Sequence, residues 1–542
     1  MELRDLSLPS LNQFTSDYLN GKLEVEDYFH YKLTGEGMYQ NRYQELMTRT
    51  FKRADIAAYI EQYMERFSES KQVELNIEAL KTADSVVVIG GQQAGLLSGP
   101  LYTIHKVISI IKLAEEQEKK LGKRVIPVFW IAGEDHDLAE VNHVYTMKNG
   151  KPVKTAYPFY HPFKTMVTDL ELDTEKTMQW IEDVVESYGE TDFTKKLLQT
   201  VRGIVQESKD FVEFFASLIH EWFQDYGLLL LDAGDPRLRK LEADYFSELI
   251  QHSDEITDSV LSQQAFMQKE GYKRMIEMEE VSANLFYYTP KNKERILLER
   301  KGDLFSSKNG DIRFTISELL EVAEKEPERL SNNVVTRPIM QEKLFPVLAF
   351  ISGPGEIAYW AELKQAFEIF SMKMPPIVPR LNITVVERGI QTDLSETGLD
   401  IETVLTQGTG IAVNEFMNSV KNDDIESFFR QMKSTLGENH EKLTEKAVAD
   451  DKGLEPLLIK NRQFLDKQLD FIYGKITEST EKKHEVTLSK YSRIANALYP
   501  IGSPQERIWN VFYYLNQYGP FFISDTMKLD YQFNNQHKVI YL

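Results

Sequence analysis

The sequence predicts an α/β fold: a doubly wound parallel sheet joined to an α-helical antiparallel coiled coil. Three observations carry that reading. Five short apolar runs recur within residues 1–385, each ending in glycine or polar residues. The first two are joined by a helix-spaced segment, which makes a parallel βαβ unit. From 386 to 490 the chain turns polar and poor in proline, with leucine and isoleucine at heptad spacings.

The stretch Ser85–Lys106, SVVVIGGQQAGLLSGPLYTIHK, sets the pattern. Val86 to Ile89 is a β-branched run suited to a strand packed on both faces. Gly90 and Gly91 are expected to end it, and Gln92, Gln93, Gly95 and Gly99 to form a glycine-rich turn. Leu101, Ile104, Val107, Ile108 and Ile111 have helical spacing, with Pro100 at the first turn. A strand, a glycine turn and a helix N-terminus together offer N–H groups and a positive helix end to an anion. Tyr102, His105 and Lys106 lie at the start of that helix. His105 and Lys106 read as a phosphate- or carboxylate-binding pair, or as a half-buried histidine beside a solvated lysine.

In chain order, residues 1–84 read as helical, with apolar spacing in Tyr18–Tyr31 and Tyr43–Phe67. The second strand, Val125 to Ala132, ends in Gly133-Glu134-Asp135-His136-Asp137. The third, Gly227 to Asp232, stops at Ala233-Gly234-Asp235-Pro236. A fourth, Leu344 to Ile351, stops at Ser352-Gly353-Pro354-Gly355-Glu356, and a fifth, Pro376 to Thr384, contains Arg380 and Asn382. Connecting insertions near 145–220 and 255–330 interrupt this rhythm; the second holds hairpin strands at Asn284–Tyr288 and Arg295–Glu299. In the 386–490 domain, Ile425, Phe428, Phe429, Met432 and Leu436 face Leu458, Leu465, Leu469, Ile472 and Ile476 across the expected coiled coil. Amphipathic helices packed on the core are the alternative. The aromatic segment 491–542 is expected to return to the globular body.

Composition narrows the function. The net charge of −21 opposes a nucleic-acid or acidic-membrane binder, and no apolar run is long enough to span a bilayer. The first residues, MELRDLSLPS, do not read as a secretory signal. There is no cysteine, which excludes disulfides and thiolate chemistry and suits a cytoplasmic setting.

Sheets of this kind bind ligands beyond the carboxyl ends of their strands. Glu134, Asp135 and His136 stand at such an end, where carboxylates beside an imidazole supply acid–base capacity; Asp137 can alternatively cap a helix. His136, Glu140 and His143 lack metalloprotease spacing, and no metal site is predicted. Gly353, Gly355 and Ala358 match the dinucleotide fingerprint loosely; with Glu356 they read better as a substrate loop. Tyr359 and Trp360 then serve as pocket walls or as core. Arg337, Arg380 and Asn382 lie near strand ends, where a guanidinium can grip a carboxylate or form an internal ion pair. A Walker A loop and a nucleophile elbow are both missing from the sequence.

These residues carry a resemblance. VVVIGGQQAGLLSGPLYTIHK, VIPVFWIAGEDHDLAEVNHV, LLLLDAGDP, SNNVVTRPIMQE, FISGPGEIAYWAELKQAF, MPPIVPRLNIT and PQERIWNVFYYLNQYGP, in this order, are similar to the bacillithiol biosynthesis cysteine-adding enzymes, the BshC family. The resemblance implies a Rossmann-type core related to class I synthetases and nucleotidyltransferases, a connecting insertion, and a coiled coil that makes a homodimer. It also implies addition of cysteine to glucosaminyl malate in the last step of bacillithiol synthesis; forming that amide from a free carboxylate needs activation, for which ATP with magnesium is one candidate and another activated donor the alternative. Tyr102-Thr103-Ile104-His105 keeps only the last histidine of the class I His-x-Gly-His signature, and Met372-Lys373-Met374-Pro375 is at most a remnant of the second. A nucleotide-dependent transferase of another substrate and a non-catalytic coiled-coil scaffold are the alternatives.

Overall fold

The order of the central sheet explains the spacing of the five apolar runs. A computed structural model describes residues 1–10, 12–33, 35 and 37–542. Strands β1 (Val86–Gln92), β2 (Val125–Ile131), β3 (Leu229–Asp232), β4 (Val347–Ser352) and β5 (Ile377–Pro379) lie parallel in the order β5-β4-β1-β2-β3. This is the doubly wound order, which reverses between β1 and β4. Every residue of β2, β3 and β4 is buried, as a parallel sheet covered on both faces requires.

The boundaries differ from expectation in instructive ways. Gly90 and Gly91 do not end β1; they continue its ladder opposite Phe129 and Trp130. A Cβ at Gly90 would lie 2.9 Å from Ile110 Cδ1 and 3.2 Å from the Ile351 carbonyl. Glycine there lets helix α1 (Leu101–Leu121) close onto the strand. β4 starts late because Leu344 finishes the helix Thr336–Leu344.

The expected strand from Pro376 to Thr384 is two strands. β5 pairs with β4 for three residues. The chain then steps through Arg380, Leu381 and Asn382 into Ile383–Val386, which joins a separate three-stranded sheet with Glu2–Leu6 and His537–Tyr541. The first 84 residues therefore include a strand, and Tyr18–Tyr31 is not one helix. The helix Gln13–Leu19 stops at Asn20, before Gly21 at φ +66°.

The first insertion opens with the hairpin His143–Lys148 and Lys151–Ala156, followed by the helices Thr174–Glu186, Thr194–Glu207 and Phe211–Phe223. The second is a five-stranded antiparallel sheet that contains Ser282–Tyr288 and Arg295–Lys301.

Met1–Val385 and Gln505–Leu542 form one compact unit, and Val386–Pro504 another. The return to the first unit thus begins at Gln505 rather than 491. Helix Glu485–Leu498 belongs to the second unit, where Arg493 grips Asp393 through two 2.7 Å bonds.

In that second unit α2 (Asp423–Asp450) and α3 (Glu455–Lys483) pair antiparallel. Lys433 bonds Asp470 at 2.7 Å, His440 bonds Asn461 at 3.1 Å, and Phe429 stacks on Tyr473 at 4.6 Å. Leu436, Leu458, Leu465 and Leu469 are half-buried in this seam. Ile425, Phe428, Met432, Ile472 and Ile476 are exposed instead, because contact between two helices covers one narrow stripe of each.

Candidate functional site

Where the strand order reverses, a cavity of about 430 Å³ opens beyond β1, β2 and β4. The end of β1 contributes Gln92 and the residue after it Gln93, the turn after β2 contributes Asp135, and the helix Pro354–Trp360 after β4 contributes Gly355, Glu356 and Tyr359. Helix α1 adds Tyr102 and Lys106, the step after β5 adds Arg380, and Arg337 and Arg507 complete the wall.

Lys106 is, with Arg380, a buried cation of the cavity. Its Nζ donates to the Gly91 carbonyl at 2.7 Å, to Gln92 Oε1 at 3.2 Å and to Glu356 Oε2 at 2.5 Å. Burial lowers its pKa, with the Arg380 and Arg337 charges adding to that; Glu356 opposes them. Glu356 Oε2 also accepts the Gly353 N–H at 2.7 Å, so the glycine loop after β4 is closed by its own carboxylate. At α1 the Leu101 N–H donates to the Trp509 carbonyl at 2.9 Å. The expected anion cradle of helix N–H groups is therefore partly filled, and side chains supply the positive charge.

Asp135 is the ionised carboxylate opposite. Gln93 Nε2 donates to its Oδ2 at 2.7 Å, and the His136 N–H to its Oδ1 at 2.7 Å. Burial pushes its pKa up, but Gln93, the Arg295 charge and the N–H groups of Asp137 and His136 outweigh that and hold it below the usual carboxylate range. Arg295 comes from the inserted sheet, with its guanidinium 3.8 Å over the Phe286 ring. Its Nη1 lies 3.3 Å from His136 Nδ1. Arginine only donates, so Nδ1 accepts and the neutral ring carries its proton on Nε2. Burial and the charge of Arg295 lower the His136 pKa and keep it neutral.

Arg337 has neutral partners: Nη2 donates to the Tyr359 hydroxyl at 3.0 Å and Nη1 to Gln341 Oε1 at 3.2 Å. Arg507 sits 5.7 Å from the Tyr102 ring centroid. Arg380 lies at the same distance from that ring, but Glu506 already holds its guanidinium at both arms.

Several predicted site residues lie outside this cavity's lining. His105 is buried, with Nδ1 2.9 Å from Glu506 Oε2. Glu134 is buried against Arg239 and accepts the Asn332 N–H at 3.2 Å. Trp360 packs in the core, 4.4 Å from the Phe350 ring. Gly90 and Gly95 serve close packing; a Cβ on Gly95 would stand 2.8 Å from Gly99 Cα. Asn382 lines a neighbouring cavity of about 200 Å³ that shares Arg380. His136 lines another, of about 420 Å³.

Sequence reasoning missed Arg507, Glu506 and Arg295. The first two stand in PQERIWN, where a paired acid and base inside an aromatic segment was the available signal. Among the described residues no group of three or more histidines, aspartates or glutamates is placed to hold a metal ion, and no helix is long and apolar enough to cross a membrane.

Comparison with known proteins gives one family over the whole chain. Residues 1–381 match the model "Bacillithiol biosynthesis BshC, N-terminal Rossmann-like domain" and residues 383–542 match "Bacillithiol biosynthesis BshC, C-terminal coiled-coil domain". Proteins named "Putative cysteine ligase BshC" are similar end to end. That of Geobacillus sp. strain WCH70 is 46% identical over 544 residues, covering 100% of both chains. Those of Geobacillus kaustophilus and Bacillus velezensis are 44% and 43% identical, again over 100% of each chain.

Proposed function

The chain belongs to the BshC family of bacillithiol biosynthesis, and from that premise we propose that it is a ligase adding cysteine to glucosaminyl malate. The observation that carries the reading is the pairing, in one cavity at the sheet's reversal, of an ionised Asp135 with Arg337 and Arg507, for which no ion pair with a carboxylate occurs among the described residues. Arg337 and Arg507 suit the two carboxylates of malate, since a guanidinium binds carboxylate with paired charge-assisted bonds. Asp135 is the anion available to orient the attacking amine and take its proton as the C–N bond forms.

Amide formation from a free carboxylate needs that carboxylate activated, and ATP with magnesium supplies this when bound. Lys106 would hold a phosphate by giving up one of the bonds that take its three N–H donors, to Gly91, Gln92 or Glu356. His105 does not serve that role here, being turned to Glu506.

The exposed apolar side chains of α2 and α3, among them Phe428, Phe464 and Phe471 at 68%, 56% and 57% exposure, suit a homodimer formed through the coiled coil. Absence of cysteine from the chain suits a cytoplasmic enzyme that handles thiols.

The test is turnover by purified protein of glucosaminyl malate and cysteine, with and without ATP and magnesium, following the amide by mass. Product only with ATP supports the ligase. Product without ATP assigns another activated donor. No product from folded protein under either condition overturns the reading and favours the scaffold.

A further inference from the structure

The direction of the Asp135 carboxylate is set by its own backbone. Its Oδ1 accepts the N–H groups of His136 at 2.7 Å and Asp137 at 3.3 Å, so the carboxylate moves with the turn of residues 133–137. Two carbonyls of that turn are held by a segment of the first insertion. The Val167 N–H donates to the Asp135 carbonyl at 2.8 Å, and the Thr168 N–H to the Gly133 carbonyl at 3.1 Å.

The second insertion ties this segment down at both ends. The Arg295 N–H donates to the Lys164 carbonyl at 2.8 Å. Asp169 accepts the Tyr288 hydroxyl at 2.7 Å and Lys293 Nζ at 3.1 Å. Met166 and Val167, between these ends, are buried. Residues 164–169 thus form a strap across the turn that carries Asp135.

One side chain sets the register of the strap. Thr168 Oγ1 donates to Oδ2 of Asp232 at the end of β3, and Asp232 Oδ1 accepts the Gly234 N–H at 2.8 Å. Asp232 is buried, and its backbone carbonyl accepts the Tyr59 hydroxyl at 3.3 Å. A Cβ on Gly133 would collide with the Asp232 carboxylate, and one on Gly234 would lie 2.5 Å from Thr168 Cγ2. Turn, carboxylate and strap are therefore in direct contact, which glycine at both positions permits. Either protonation state of Asp232 keeps the pair, because a hydroxyl both donates and accepts.

We propose that Thr168 is a positioning residue for the ligase reaction: its bond to Asp232 sets the strap on residues 133–135 and so fixes where Asp135 meets the attacking amine. Neither Thr168 nor Asp232 is among the residues lining the cavity, so both act through Asp135. A displacement of about 1 Å from a change away from the chemistry can cost about 100-fold in rate. The assignment rests on Asp135 as the group that takes the amine's proton; the strap's hold on the turn does not.

The experiment compares Thr168→Val and Thr168→Ser with the parent protein. It measures turnover of glucosaminyl malate and cysteine, and amide exchange at residues 167 and 168 by mass spectrometry. Valine keeps the shape of threonine without the hydroxyl, whereas serine keeps the hydroxyl. Thr168→Val is expected to lower kcat about tenfold with both KM values within about twofold, since the groups that bind substrate stay in place. Its exchange at 167 and 168 is expected to be about tenfold faster. Thr168→Ser is expected to restore both. Tyr288→Phe frees the far end of the strap from a half-buried position and is expected to shift both readouts the same way, which serves where the valine variant does not fold.

Unchanged kcat in Thr168→Val, an equal loss in Thr168→Ser, or a raised KM in place of the lowered kcat overturns the positioning role. Asp135→Asn separates it from the reading beneath it. Full activity in that variant overturns Asp135 as the base and the role of Thr168 with it; a dead Asp135→Asn beside an unaffected Thr168→Val overturns Thr168 alone. Faster exchange in Thr168→Val, from a parent that forms no amide, overturns the ligase reading and leaves the strap standing. Equal exchange overturns the strap.

Discussion

Glu506 holds Arg380 by both arms, with Nη1 2.6 Å from Oε2 and Nη2 2.5 Å from Oε1, and both residues are buried. The same Oε2 meets His105 Nδ1 at 2.9 Å. One carboxylate from the returning C-terminal segment thus fixes the step after β5 and the first turns of α1, two walls of the cavity. Burial raises the Glu506 pKa, but Arg380 and His105 outweigh it and hold the carboxyl far below its usual range.

Glu506→Gln leaves Arg380 buried without its counter-charge and is expected to destabilise the protein by about 3–5 kcal/mol. Thermal unfolding of the variant checks this. Arg380→Met with Glu506→Leu, which removes both charges, should recover much of the loss. A depressed carboxyl contributes stability above its unfolded pKa, so the Glu506 contribution is complete at neutral pH and falls away only as pH drops below about 4.5.

Asp232 carries the opposite pH dependence. Burial at the end of β3 pushes its carboxyl up to about 7 from an ordinary value of 3.8. A raised carboxyl favours the fold fully below pH 3.8, and that contribution is lost as pH rises through about 7. Asp232→Asn, which imitates the protonated form, is expected to flatten the fall in melting temperature between pH 5 and 8. An equal slope in both proteins refutes this.

Lys106→Met is expected to lower kcat about 100–1000-fold, the range for loss of one preorganised charge at a reacting centre. Arg337→Ala should act differently, raising the KM for glucosaminyl malate about tenfold with kcat little changed, which is a loss of about 1.4 kcal/mol of substrate binding. Arg337→Lys should not restore affinity, because lysine lacks the planar fork. Steady-state kinetics in each substrate separates the two cases.

Phe428→Glu with Phe464→Glu places charge on two exposed apolar positions of the helical hairpin. Light scattering is expected to report half the mass of the parent protein. An unchanged mass shows that another surface, or none, joins the chains.

Much of the fold was legible because burial is written locally. The runs VVVI, VIPVFWI and LLLLD are apolar without alternation, as strands covered on both faces must be. The β1 end misled for a local reason too: glycine reads as a breaker, while here it admits Ile110 against the strand. Of the candidate site residues, Gln92, Gln93, Asp135, Arg337, Gly355, Glu356 and Arg380, read from their places near strand ends, and Tyr102, Lys106 and Tyr359, read from the helices that follow, all line the cavity.

The sequence by itself determined the core strands of the central sheet, its ligand edge and the helical hairpin, since each follows from periodicity over a few residues. Only the tertiary structure decided which charged groups face ligand and which face protein. His105 and Lys106 are neighbours on one helix, yet one is bonded to Glu506 and the other lines the cavity. Glu134 and Asp135 divide in the same way, between Arg239 and the open site. What settles each is a partner tens to hundreds of residues away, and the balance of desolvation against that partner's charge depends on a distance that only the folded chain sets.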